Sequence, residues 1–379
     1  MGKIVITCNP RVSEILAREV ESLGLTVDSI EPKGVITKGS LEDTYYLNLN
    51  LRTGNKVLWE IGRFNARNAD ELYAEARKIE WDKYFPLQKM FSIESFVKND
   101  TIKDTRFANL RLKDAIADFF VSKTGKRPNS GADKSEVVLF LHWLDDEVAL
   151  FINTSGETIA KHGYRQAAVK APMIESLASA VLMSTRWDMN SPLVNPMCGS
   201  GTLAIEAALL ALNRCPGHFR ENFSFMHLQG YNPRVWKVIK SEARKVERTG
   251  LAFPIIASDN SEEAISVARE NAQYAGVSNL IKFQVCDFSN TLIPKQRGVI
   301  IMNPEYGERL GDVEQLEKTY EEMGDFLKQK CTGYLGYIFT GNLDLAKKIG
   351  LQAQRKIEFF NGKIDCRLLE YELFAGKKQ

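Results

Sequence analysis

Along the first 160 residues the apolar positions keep changing period. Lys3–Cys8 is an apolar run of strand length. Ser13 then opens Glu14–Leu23, where Ile15, Leu16 and Val20 share one helical face and Gly24 supplies the stop. Val35-Ile36-Thr37, Val57–Ile61, Met90–Val97 and Val137–Trp143 are rich in β-branched and aromatic residues, which predicts strands. Tyr45–Leu51 shows no strand alternation and predicts a helix. Asn109–Lys123 carries Leu112, Ala115, Ile116, Phe119 and Phe120 at helical spacing, and Glu147–Asn153 closes this half. Short units of mixed type predict α+β modules, without an internal repeat.

From about residue 190 the order becomes regular. Leu193-Val194, Pro254–Ser258, Ile281–Cys286, Gly298–Met302 and Tyr334–Thr340 are short apolar strands. Helical patterns at Leu203–Leu212, Glu262–Ala275 and Val313–Lys330 alternate with them. That alternation predicts a parallel sheet wrapped by helices. The ending differs: Gln354–Phe360 and Ile364–Leu373 are extended runs joined at Asn361-Gly362, a hairpin signal. The expectation is an α/β domain, mostly parallel, that finishes in an antiparallel hairpin.

Composition narrows the class. The 379 residues suit two domains, or two and a small one. Fifty Lys and Arg against 48 Asp and Glu, with 44% hydrophobic residues, describe a soluble globular protein. A disordered chain, a collagen-like fibre and a polybasic tail are excluded. No apolar run approaches the roughly 18 residues of a membrane span, and Met1–Val5 lacks the apolar start of a signal peptide. The six cysteines form no C-x-x-C pair and the four histidines no ligand spacing. The expectation is a metal-free cytoplasmic protein with reduced thiols. The oligomeric state is not legible.

Candidate chemistry lies in the second half. Asn195-Pro196-Met197-Cys198-Gly199-Ser200-Gly201-Thr202 sits between a strand and a helix. Gly199 and Gly201 let the backbone bend tightly and approach a ligand. Such a turn at the carboxyl edge of a parallel sheet is where open α/β folds bind nucleosides. A lone G-x-G is about as often only a tight turn, but two further strand ends sharpen the pattern. Asp259, followed by Asn260, can accept both hydroxyls of a ribose. Asp287, followed by Phe288, is placed to meet an adenine amine. Either acid alone is more often an N-cap or a solvated strand end. The fourth element, Asn303-Pro304-Glu305-Tyr306, follows strand Gly298–Met302. The Asn303 side-chain oxygen and the next backbone carbonyl can both accept from an exocyclic amine, and Tyr306 can stack on its base.

With these motifs the second half resembles class I S-adenosylmethionine-dependent methyltransferases that modify nucleobase amines, whose parallel sheets also end in an antiparallel hairpin. The whole chain is similar to the THUMP-containing RNA methyltransferases, above all the bacterial group acting on guanine N2 of large-subunit rRNA. The stretches that carry the likeness are Gly163-Tyr164-Arg165, Ala171-Pro172, Asn195–Thr202 and Asn303–Leu310. The resemblance implies a ferredoxin-like segment over residues 1–44, a THUMP RNA-binding domain over 45–155 and a Rossmann-like catalytic domain over 156–379. It implies S-adenosylmethionine as cofactor, held by Asn195, Pro196, Cys198, Gly199, Ser200, Gly201, Thr202, Asp259, Asn260, Asp287 and Phe288. Asn303, Pro304 and Tyr306 would carry catalysis, and the partner would be rRNA or a pre-ribosomal particle. Two positions depart from the family's pattern: Asn195 replaces the usual Asp, and Glu305 replaces the second Pro of Asn-Pro-Pro-Tyr. Glu305 is expected to face solvent. Relatives carry a second methyltransferase domain behind this one, so a chain ending at Gln379 is expected to have a single activity.

Charge by itself says little about RNA. Residues 98–127 hold eight Lys and Arg against four Asp and Glu, and Lys123, Lys126 and Arg127 flank a Gly125 turn. Such clusters are usually solvated faces. Lys161, Tyr164, Arg165 and Lys170 lie in an acid-free stretch beside the candidate site and are the better candidates for RNA contact. Two other readings compete with guanine-N2 methylation of rRNA. One is adenine-N6 methylation of DNA, which the same Asn-Pro-x-Tyr geometry would serve. The other is a noncatalytic RNA-binding protein with a degenerate cofactor pocket.

Overall fold

The computed structural model describes residues 2–167, 173–306 and 313–374. The chain forms two compact units. The first comprises Met1–Cys8, Leu16–Ile159 and Arg220–Glu242, and the second Asn9–Ile15, Ala160–Phe219 and Ala243–Gln379.

In chain order the first unit is built from β1 (Gly2–Cys8), α1 (Ser13–Ser22, which begins in the second unit), β2 (Val27–Glu31), β3 (Gly34–Gly39), α2 (Leu41–Asn50), β4 (Gly54–Asn65), α3 (Ala69–Ala76), β5 (Phe91–Lys98), α4 (Thr105–Thr124), β6 (Val137–Leu144) and β7 (Glu147–Asn153). All its strands join one sheet, ordered β2-β3-β1-β4-β7-β6-β5. Only β5 and β6 pair in parallel. α2 extends four residues ahead of the predicted helix because Ser40 and Asp43 form a capping box. α4 likewise starts earlier, at an Asp104 cap, and stops at Gly125 in a left-handed conformation. Strand β2 was not predicted; its sequence VDSIE is polar and it lies on the sheet edge. Trp81, Phe85, Phe91 and Phe120 fill the core beneath α4.

The second unit contributes α5 (Glu175–Ser184), β8 (Leu193–Pro196), α6 (Thr202–Ala211), then β9 (Ile255–Asp259), α8 (Glu262–Tyr274), β10 (Ile281–Val285), β11 (Val299–Met302), α9 (Val313–Lys330), β12 (Leu335–Thr340), a short helix Leu343–Lys348, β13 (Arg355–Asn361) and β14 (Ile364–Glu372). Its sheet runs β10-β9-β8-β11-β12-β14-β13. The first five strands are parallel, and β14 runs against both β12 and β13. This is the class I methyltransferase wiring that the alternating pattern implied. Register refines the hairpin: Asn361 pairs with Ile364, so the turn residues are Gly362 and Lys363, with Gly362 at φ 62°. Helix α5 went unseen because it is buried on nearly every side, which erases the amphipathic signal. Between α6 and β9 the chain forms helix α7 (Pro233–Lys245), with Trp236 its one buried residue.

Val194, Ile256, Ile300, Met302 and Ile338 pack in one core cluster with Tyr320, Met323, Phe326 and Leu327 of α9. α9 comes closest to its neighbours at Gly324, where a methyl group would lie 1.9 Å from the Ile349 carbonyl oxygen. Gly324→Ala is therefore expected to destabilise the fold by about 1–3 kcal/mol through overpacking. The better helix propensity of Ala, worth about 1 kcal/mol, would not rescue it. A urea titration that showed the variant equal to or more stable than the parent would contradict this close approach.

Candidate functional site

The order of the second sheet reverses at β8: β9 and β10 lie to one side of it, β11 and β12 to the other. Neighbouring βα connections leave such a point in opposite directions and open a crevice above the strand ends. Both Asn195, near the end of β8, and Asn303, directly after β11, sit at that edge.

Asn195 is completely buried. Its Nδ2 donates to the Ile301 carbonyl at 2.9 Å and more weakly to the Pro196 carbonyl at 3.4 Å. A carboxylate could make neither bond, so the amide suits this position by fastening β8 to β11. Its Oδ1 is buried with no hydrogen-bond partner among the described residues.

The turn that follows is held at several points. Met197 and Gly199 have positive φ, and Cys198 N donates to the Ser258 carbonyl. Gly201, at φ 78°, precedes α6, and a Cβ there would lie 2.9 Å from that of Ala268 on α8. Asp259 Oδ2 accepts from Gly199 N at 2.9 Å and its Oδ1 from Ser261 N, so the carboxylate organises the glycine turn. Burial and the neighbouring Asp259 push the Cys198 thiol far up, which leaves it an unreactive thiol. Ser200 and Thr202 are buried, with their hydroxyls 3.5 Å apart. Asn260 is exposed beside Asp259.

Asp287 is exposed two residues past β10 and caps a short turn through Ser289. The Phe288 ring is buried against Phe326 in the core, so a pocket here would be lined by its backbone.

At the Asn303 motif, Pro304 is buried, Asn303 and Tyr306 are half-buried and Glu305 is exposed. Asn303 Oδ1 is buried without a partner among the described residues. The Tyr306 hydroxyl accepts from Asn361 Nδ2 at 2.8 Å, so the terminal hairpin holds that ring. Burial pushes its phenol up to about 12. Gly341 is necessary here, because a methyl group on it would strike the Tyr306 ring at 2.9 Å. Gly307 to Leu310, the remainder of the motif, lie outside the described residues, as do Ala171 and Pro172.

The RNA candidates fare differently. Lys161 is exposed. Tyr164 is 2% exposed, edge-on to Phe219, and burial beside Glu206 raises its phenol well above the usual range. That ring is core, so it is not an RNA platform. Arg165 is also not a phosphate ligand: it pairs with Glu175 at 3.1 Å and donates to the Met173 carbonyl and to Thr202 Oγ1 at 3.0 Å. Its Nη1 is buried without a partner among the described residues. Lys170 lies outside the described residues. In the first unit Lys123 is paired with Asp82 and Arg127 with Asp114, whereas Lys126 is exposed.

Other contributors gave no sequence signal. His162, Glu206 and Ser179 form a buried polar chain beneath α6, with His162 Nδ1 2.8 Å from Glu206 Oε1. Asn271 on α8 accepts from Gln166 N and Ala167 N and donates to the Ala167 and Ser200 carbonyls. A buried Asn on an amphipathic helix looks like any other polar helix residue until its partners are known. Among the described residues no group of His, Cys, Asp and Glu could hold a metal ion, and no helix is long and apolar enough to cross a membrane.

Comparison with known proteins places this geometry. Residues 162–370 match the RMKL-like methyltransferase domain, residues 66–153 the THUMP domain and residues 3–58 the RlmL ferredoxin-like domain. The ribosomal RNA large subunit methyltransferase K/L of Syntrophotalea carbinolica is 34% identical over 98% of this chain and 53% of its own length. The chain thus spans about half the length of the K/L relatives, but 94% of the putative RNA methyltransferase slr0064 of Synechocystis, which is 34% identical over 95% of this chain. SMU.472, solved in complex with SAH, is 26% identical with a TM-score of 0.89, over 100% of this chain and 99% of that one. A predicted N6-adenine-specific DNA methylase from Listeria monocytogenes is 30% identical with a TM-score of 0.89, over 98% and 96%.

Asn271→Ala would leave two backbone N–H groups and two carbonyls without these partners. The expected cost is about 2–4 kcal/mol of stability, with cofactor-turn affinity reduced as well. Equilibrium unfolding and ligand titration of the variant check both.

Proposed function

We propose, because this chain belongs to the RMKL-like methyltransferase family, that it transfers a methyl group from S-adenosylmethionine to the exocyclic N2 of a guanine in large-subunit rRNA. The observation that carries the reading is the Asn303 side-chain oxygen. It is buried, has no hydrogen-bond partner among the described residues, and is held next to a buried proline directly after β11. An unsatisfied buried acceptor costs about 1–3 kcal/mol. A target amine entering the crevice would relieve that cost.

The residues present fit the cofactor. At the glycine turn lie one orphaned acceptor, Asn195 Oδ1, and near Thr202 one orphaned donor, Arg165 Nη1. Together these suit the ammonium and carboxylate of an amino-acid end. Gly199 and Gly201 would admit the backbone close to the nucleoside, with Asp259 at the ribose and Asp287 at the adenine. Bound there, S-adenosylmethionine supplies an electrophilic methyl on a sulfonium. SMU.472, with SAH bound, supports this assignment.

An exocyclic amine is a weak nucleophile because its lone pair is delocalised into the ring. Asn303 Oδ1 and the Pro304 carbonyl would accept its two N–H bonds, which turns the lone pair out of conjugation and in line with the methyl. The base must leave its helix, or already be unpaired, to reach them. Tyr306 supplies a ring fixed by Asn361 for stacking. Glu305 is exposed, so the released proton passes to solvent rather than to that carboxylate. The working site would be the cytoplasm, on rRNA or a precursor particle.

Adenine N6 presents a similar amine, and the name of the Listeria relative favours that second reading. Incubation with radiolabelled S-adenosylmethionine and separate rRNA and DNA, then digestion to nucleosides, decides between them. N2-methylguanosine from large-subunit rRNA is expected. N6-methyladenine from DNA would replace the substrate. No label, with cofactor binding intact, would favour a binding protein without turnover.

Two variants test the mechanism. Asn303→Ala should lower kcat by roughly 10²–10³-fold or more while cofactor affinity stays within a few-fold. Equal loss of both would make Asn303 structural. Glu305→Pro should leave turnover and its pH profile unchanged.

A further inference from the structure

We propose that the exposed face of α7 is a binding strip for the phosphate backbone of RNA. This rests on the reading that RNA is the substrate, but it concerns a different surface from the methyl-transfer crevice. Residues 234–248 contain six Lys and Arg against two Asp and Glu, in a chain whose net charge is only +2. Within the helix Arg234, Lys237, Lys240 and Arg244 are all exposed. At 3.6 residues per turn these four fall within an arc of about 120° and form a strip about 15 Å long. Val235, Trp236, Ile239 and Ala243 occupy the opposite side, and all four are buried or half-buried.

The strip differs from the basic clusters that sequence brings to mind. Lys123 and Arg127 are neutralised by Asp82 and Asp114, and Arg165 by Glu175. By contrast, among the described residues Arg234, Lys237 and Arg244 meet no carboxylate within salt-bridge distance. Lys240 lies 5.2 Å above the Trp236 ring. Of the two acids nearby, Glu247 is taken by Arg214 at 2.5 Å. The positive charge on this face is therefore left for an external anion.

The helix is also anchored firmly enough to present that charge in a fixed register. Trp236 stands edge-on to Phe223 and Phe225, and Phe225 stacks on Tyr45 of α2 at 4.3 Å. Residues Arg220–Glu242 thus pack with the first unit, although the family match that covers them is the methyltransferase domain. Arg234, Lys237 and Lys240 thus belong to the first unit, and Arg244 continues the same helix one turn further. Four aligned cations at helical spacing match a polyanion, and such contacts add affinity without reading sequence.

The test compares the parent protein with the quadruple variant Arg234→Ala, Lys237→Ala, Lys240→Ala and Arg244→Ala. Binding to purified large-subunit rRNA is measured between roughly 50 and 300 mM salt. If each cation meets one phosphate, the log–log salt slope should become shallower by about 3. Affinity near physiological salt should fall on the order of 10–100-fold. Cofactor affinity and the unfolding midpoint should not move, and Arg234→Lys with Arg244→Lys should keep parental binding. An unchanged slope and affinity in the quadruple variant overturns the proposal. So does loss of binding to phosphatidylserine vesicles with RNA binding intact, which would make this a membrane-facing helix. Because binding is read without turnover, the two readings separate. A parent that binds RNA through α7 but methylates none loses only the proposed activity. One that methylates RNA, with a variant that binds as well, loses only the strip.

Discussion

The hydrogen bond from the buried Asn195 amide to the Ile301 carbonyl is the constraint on which the site depends. β8 and β11 are neighbours at the reversal of the sheet, and their register pairs only Val299 with Leu193 and Ile300 with Val194. Beyond those two pairs the strands part to open the crevice. Asn195 bridges them where the ladder has stopped, two residues before Asn303. The position of Asn303 is thereby tied to the residue that opens the glycine turn. An amide can donate this bond and a carboxylate cannot, which accounts for a neutral residue where the family usually places an acid.

Around that bridge the polar groups are arranged in depth. Asp259 fixes Gly199, Asn271 fixes Ser200 and the 166–167 segment, and Arg165 fixes Thr202 while being fixed by Glu175. Tyr306 is held from the opposite side of the sheet by Asn361 of the hairpin. Each of these supports satisfies most of its own hydrogen bonds inside the protein. Among the described residues, Asn195 Oδ1, Arg165 Nη1 and Asn303 Oδ1 are buried in this region without hydrogen-bond partners. A site built this way is preorganised: little has to move when ligands arrive, and the cost of unsatisfied groups is borne in the free protein.

Charge follows a similar logic in the first unit. Many of its cations are matched by local acids, so a nearly neutral composition conceals where net charge resides. Exposed pairs of this kind contribute little to stability, yet they cancel the field that a polyanion would sense. Along α7, where acids are scarce, Arg234, Lys237, Lys240 and Arg244 are all exposed.

Sequence alone was enough to determine the architecture of the catalytic unit and the four strand-end motifs. The alternation of apolar strands with amphipathic helices, the glycines at 199 and 201, and the Asn-Pro-x-Tyr tetrapeptide are local signals, fixed by backbone geometry within a few residues. What those signals could not carry was the destination of side chains. Gly163-Tyr164-Arg165 read as a basic, accessible stretch, yet Tyr164 is core and Arg165 is a strut, because both find partners 10 to 42 residues away in Glu175, Thr202 and Glu206. Phe288 follows the exposed Asp287 but turns into the core against α9. Helix α5 was invisible because burial on all sides removes periodicity, and Asn271 because four backbone partners converge on it only after folding. Burial and long-range pairing are properties of the packed chain. They decide whether a charged or aromatic residue serves a ligand or the fold, and only the tertiary structure records that choice.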